Sequence, residues 1–184
     1  MSERDNDIAH MLASLHQLQG MDFIRQLRLI ATSSHFTPLK FDPQILVAPG
    51  KHADDFEPLL NAARKAVEHG YRVYVLPNPQ GVRTADFIFE RKGIYKMYDL
   101  KTISGRSSVG NRLVESVNQT NRVLLNMTSD YNPIALARSI KRYFEKNPHG
   151  IEVLIFKGNK VISTTHEDTL NATFFKNFIT KYIR

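Results

Sequence analysis

Residues 85–101 read ADFIFERKGIYKMYDLK. Two runs rich in branched and aromatic side chains, residues 85–90 and 94–101, flank Arg91, Lys92 and Gly93. Such runs favour strands, because these side chains pack well on a half-buried pleated surface, and a short Gly-containing link between them predicts a hairpin. The strands are then antiparallel, so the start of the first lies beside the end of the second. Asp86 stands at that start, and Asp99 and Lys101 at that end. Asp is unusual inside an apolar strand and needs a reason to be there. Residues two apart on a strand share a face, so Asp99 and Lys101 project together. The stretch therefore predicts two carboxylates and an ammonium converging at one end of a hairpin.

Outward from the hairpin, helices and strands alternate. Before it, Asp54 or Asp55 caps a helix to His69, with Phe56, Leu59, Leu60, Ala63 and Val67 facing inward and Gly70 as its stop. A strand follows at 71–76 and a turn at 78–81. After it come a Gly/Ser loop (102–110), a helix (111–121) and a strand (122–127). A second helix, 133–146, is opened by Asn132-Pro133. A hairpin (152–156 and 160–164) and a closing helix (169–183) end the chain. Helices between strands predict an α/β fold with a mixed central sheet flanked by helices. Towards the N-terminus, Ile8, Met11, Leu12, Leu15 and Leu18 recur at helical steps, and after Gly20 the stripe resumes with Phe23, Ile24, Leu27 and Ile30. Pro38, Pro43 and Pro49 break the pattern around a short strand at 45–48. The expected organisation is an N-terminal helical arm and linker, residues 1–48, and a main domain, residues 49–184.

Composition narrows the chemistry. Lys and Arg number 25 against 18 Asp and Glu, a formal charge of +7. A basic surface favours polyanions, because each phosphate contact releases counterions. The chain has no Cys, which excludes disulfides and thiolate metal sites, and its seven His show no metal-ligand spacing. A catalytic metal would then be a hard cation on oxygen ligands, Mg²⁺ or Mn²⁺. No apolar run is long enough for a membrane span, and Met1–Asp7 is polar and charged, so neither a membrane segment nor a secretory signal is expected and the cytoplasm is the expected site of action.

Phosphodiester hydrolysis uses the residue types found at the hairpin. Two carboxylates, Asp86 and Asp99, hold a divalent cation, which polarises the phosphoryl oxygen and acidifies a bound water. A Lys, here Lys101, orients that water and offsets charge growing on the phosphate. The plainer reading of an Asp-x-Lys pair is a salt bridge on a strand surface. Beyond the hairpin, Ser104, Arg106, Ser107, Ser108, Asn111 and Arg112 combine hydroxyl, amide and guanidinium donors near a helix N-terminus, a natural place for phosphate. Glu115 and Gln119 are four apart on that helix. The row Arg138, Lys141, Arg142, Lys146 also has helical spacing and reads as a solvated face.

ADFIFE, then YDLK, then a helix ending in Gln119 resembles the PD-(D/E)xK nuclease superfamily. The resemblance implies a restriction-endonuclease-like core in which Asp86 is the family's strand Asp, with Ala85 in place of its Pro, and Asp99 and Lys101 are its (D/E)xK. It implies a further metal-binding acid on the preceding helix, Glu57 or Glu68, with Glu57 preferred, and a role for Gln119 on the next helix. A closer likeness, over about residues 50–165, is to the C-terminal tRNA-nuclease domains of contact-dependent inhibition (CdiA-type) toxins. Asp86, Lys101, the Ser/Gly loop and Gln119 followed by RVLLNM carry it. It implies a tRNA or DNA substrate and a cognate inhibitor (immunity) protein. Two other classes stay open: a nucleic-acid-binding module without activity, and an assembly protein of a phage or mobile element in which the N-terminal arm forms a homo-oligomer.

Overall fold

The computed structural model describes residues 3–50, 52, 56–78, 84–105, 108–117 and 119–184. It forms two compact units, Met1–Tyr98 and Asp99–Arg184. The chain is α/β, with eight strands in mixed pairing and seven α-helices among the described residues.

The first unit opens with α1 (Glu3–Ser14), a 3-10 turn (Leu15–Gln17) and α2 (Gly20–Ala31). It continues with β1 (Thr37–Pro38), β2 (Ile45–Val47), α3 (Phe56–Glu68), β3 (Arg72–Val75), β4 (Phe87–Arg91) and the start of β5 (Ile94–Ile103). β2 and β3 are parallel, and α3 is the crossover that a parallel pair requires. β1 pairs β2, β3 pairs β4 and β4 pairs β5, all antiparallel. The predicted hairpin closes at Lys92 and Gly93, both with positive φ (52° and 77°), between the paired Arg91 and Ile94. Such two-residue turns match the twist of the strands they join, and Glu90 Oε1 accepts the Gly93 N–H at 2.7 Å.

The N-terminal helices are part of this unit. Ile8, Leu12, Leu15, Leu27 and Ile30 form one buried cluster with Leu46, Tyr74, Ile88 and Met97. β2 is paired to β3, and the helical stripe is consumed in the core of its own unit.

In the second unit, the end of β5 is followed by α4 (Val109–Ser116), β6 (Arg122–Met127), α5 (Pro133–Lys146), β7 (Glu152–Lys157), β8 (Lys160–Thr165), α6 (His166–Leu170) and α7 (Phe174–Ile183). β5, β6 and β7 run parallel, with α4 and α5 as crossovers, and β8 turns back antiparallel. One face of these strands (Ile103, Val123, Leu125, Met127, Val153, Ile155, Ile162) packs with Leu113 of α4, Leu136, Ile140 and Phe144 of α5, and Phe174, Phe178 and Tyr182 of α7.

Three expected elements differ. β4 begins at Phe87, so Asp86 precedes the strand. Its backbone still extends both ladders, donating to Tyr98 O at 3.0 Å and accepting from Leu76 N at 2.9 Å. α4 ends at Ser116, so Gln119 lies beyond the helix. The Ser116 hydroxyl donates to Leu113 O at 2.7 Å, and Val117 is already extended at ψ 133°. The closing helix is two helices. Asn171 Oδ1 accepts from Thr173 N and Oγ1 at 3.0 and 2.9 Å, and such local bonds compete with helical ones. The expected cap at Asp54 or Asp55 and most of the turn at 78–81 lie outside the described residues. No helix among the described residues is long and apolar enough to cross a membrane.

Candidate functional site

β5 brings Asp99 and Lys101 together. Lys101 Nζ stands 3.1 Å from Asp99 Oδ2, with the side chains only 13% and 3% exposed. Alternation along the strand puts both on the face of Ile103, and their partners across the ladder, Val123 and Leu125, belong to the core beneath α4 and α5. A carboxylate removed this far from water demands a countercharge, and Lys101 supplies it.

α5 adds a residue that the sequence reading missed. Tyr143 lies on the inward face of α5, buried beside Phe144, with the Asn147 side chain near its hydroxyl at a geometry short of a full hydrogen bond. Burial pushes the phenol above its ordinary value. The hydrogen-bonding influence of Asn147 lowers it, and the negative charge of Asp99 raises it again. Asp99 therefore acts electrostatically on a neutral, buried hydroxyl. Gly150 closes this corner: a Cβ there would come within 3.2 Å of both Asn147 O and Tyr143 Cε1. A signal was present in the sequence, since Tyr143 is a polar-tipped ring on the apolar stripe Leu136, Ala137, Ile140, Phe144.

In the first unit, Asp86 is half-buried, its backbone fixed between Leu76 and Tyr98. Tyr98 is covalently followed by Asp99. Glu57, in the first turn of α3, and Glu68, at its end, are both exposed. In the second unit, Gln119 Nε2 donates to Glu115 O at 3.2 Å, and Arg112 pairs with Glu115 at 3.4 Å. The expected phosphate loop is described in part. Ser108 is the N-cap of α4 and its hydroxyl accepts the Asn111 N–H at 3.4 Å. Ser104, Asn111 and Arg112 are exposed, while Arg106 and Ser107 lie outside the described residues.

Among the described residues, no group of three or more His, Asp and Glu side chains is gathered in a way that could hold a metal ion. Asp99 on β5 offers a carboxylate oxygen. Mg²⁺ is commonly held by one or two carboxylates with waters and substrate phosphates, so this donor chemistry fits a hard cation.

A scan against family models and a search of curated proteins match nothing. Among solved structures, the chain is similar to a chain of the CdiA-CT/CdiI toxin and immunity complex from Burkholderia pseudomallei, with 16% identity, a TM-score of 0.43, and coverage of 61% of this chain and 89% of that one. A likeness at this level bears on neither activity nor residues.

Proposed function

We propose that this chain is a metal-dependent nuclease. The observation that carries the reading is the Asp99–Lys101 pair, a carboxylate and an ammonium 3.1 Å apart on one strand face. In this reading Asp99 binds Mg²⁺ or Mn²⁺, with Asp86 as second carboxylate on the strength of the hairpin pattern in the sequence. Such a cation, when bound, acts as a Lewis acid on phosphate and acidifies its water. Lys101 orients the attacking water and balances charge on the phosphate, and the Tyr143 hydroxyl stays neutral and able to donate a hydrogen bond. Glu57 and Gln119 retain only the support of the sequence resemblance. The same holds for a toxin role with an immunity partner, and for tRNA as substrate.

One observation favours a second reading. Asp99 is almost fully buried and already neutralised by Lys101, as a purely structural ion pair would be. The chain would then be a nucleic-acid-binding module without hydrolytic activity. Total tRNA and plasmid DNA, incubated separately with wild type, Lys101→Ala and Asp99→Asn in Mg²⁺, Mn²⁺ or EDTA, decide between the two. The nuclease reading expects metal-dependent cleavage of one substrate by wild type and its loss in variants whose circular dichroism is unchanged. Wild-type protein that cleaves neither substrate would overturn it.

A further inference from the structure

We infer that the exposed face of α5, together with the N-terminus of α4 beside it, is a surface that tracks the phosphate backbone of nucleic acid. The inference rests on the nucleic-acid part of the proposed function and not on hydrolysis.

The charge of the chain is unevenly placed. Residues 99–184 hold 13 Lys and Arg against 7 Asp and Glu, a net +6, whereas residues 1–98 hold 12 against 11, a net +1. Nearly all of the excess belongs to the second unit, and α5 concentrates it. Arg138, Arg142 and Lys146 are exposed and four residues apart, so they form one row with steps of about 6 Å along the helix. The opposite face of α5 buries Leu136, Ala137, Ile140, Tyr143 and Phe144, which fixes the row outward.

None of the three cations makes an ion pair or a side-chain hydrogen bond among the described residues. Glu145, the one acid on the helix, pairs with none of them. Lys141 is different, lying 5.6 Å over the Phe175 ring. Like charges at four-residue spacing repel one another. Three such charges in line, none of them paired among the described residues, are unfavourable in isolation, and a polyanion removes the repulsion.

The row also has a neighbour that suits phosphate. A Cβ at Gly110 would lie 3.8 Å from Ser139 Oγ, so the first turn of α4 rests against α5. Ser108 caps that turn, and Asn111 and Arg112 are exposed on it. Backbone N–H groups at a helix start and a row of cations beside it suit a chain of phosphates.

The test measures binding of fluorescein-labelled tRNA and of a labelled DNA duplex by the full chain in EDTA, over a series of salt concentrations. The triple variant Arg138→Gln/Arg142→Gln/Lys146→Gln is compared with wild type and with Lys40→Gln/Lys92→Gln, which removes two exposed charges from the first unit. The triple variant should bind more weakly, and its slope of log affinity against log salt should be shallower by about two to three, the loss of three phosphate contacts. Arg138→Lys/Arg142→Lys should keep the wild-type slope, because charge rather than guanidinium shape is at stake. A triple variant with wild-type affinity and slope, or a wild type that binds neither probe, would overturn the inference; in the latter case the row would face an acidic protein instead. Salt-dependent binding through the row, with no cleavage by wild type when Mg²⁺ or Mn²⁺ is supplied, would reject hydrolysis and leave this surface standing.

Discussion

Lys101 and Asp99 hold opposite charges in a place where water barely reaches either, with side chains 13% and 3% exposed. A pair this buried need not stabilise the fold, because desolvation opposes the attraction, but breaking it leaves a charge with no partner. Lys101→Ala should therefore lower unfolding free energy by roughly 3–5 kcal/mol, read from urea denaturation. The double variant Asp99→Leu/Lys101→Met, which removes both charges, should be far less costly. If Lys101→Ala melts like wild type, the ion pair is not what holds Asp99 in place. The shared face of these residues was legible in the sequence, because strand alternation is local. Their burial was not, since it depends on α4 and α5 lying over residues 99–103. Tyr143 was missed for the same reason: nothing within its own helix says that Asp99 is near.

At the scale of elements, α5 shows what a sequence states well. Asn132 Oδ1 accepts from Ile134 N and Ala135 N at 2.9 and 3.0 Å, and Pro133 opens the helix, so cap and first turn are written in adjacent residues. Asn132→Ala removes an acceptor for two otherwise unpaired N–H groups and should cost about 1 kcal/mol, visible as a lowered urea midpoint with an unchanged slope. An unshifted midpoint would mean that water replaces the cap without loss. The end of α4 is less legible. It is decided by a hydroxyl bonding back to Leu113 and by Val117 leaving helical geometry, and neither competes visibly with the helical pattern of residues 111–121. The N-terminal stripe was legible as helix but not in destination. An amphipathic face satisfies its burial equally against its own chain or another's, and here Ile8, Leu12 and Leu27 take the first course.

For the molecule as a whole, three buried phenols bear on its response to alkali. Tyr74 in the first unit and Tyr143 and Tyr182 in the second are each held above the ordinary value of 10.0, first by burial. Neighbouring negative charge adds to this at Tyr143 (Asp99) and Tyr182 (Asp130). With the folded value raised, the unfolded chain releases protons that the folded chain still holds, so stability falls as pH climbs from about 10 through the folded values. Below the unfolded value all three phenols are protonated in both states and contribute no slope. Lys65 works the other way: burial lowers it from 10.5, so the unfolded chain holds the extra proton and stability rises with pH up to that value. Three groups against one predict a net loss on the alkaline side. Tm measured from pH 9 to pH 11 should therefore decline, and Tyr143→Phe/Tyr182→Phe, with no proton to lose at either position, should decline less. A double variant whose Tm falls as steeply as wild type would show that other groups govern the alkaline limb, and that the charge of Asp99 does not reach Tyr143 strongly enough to matter.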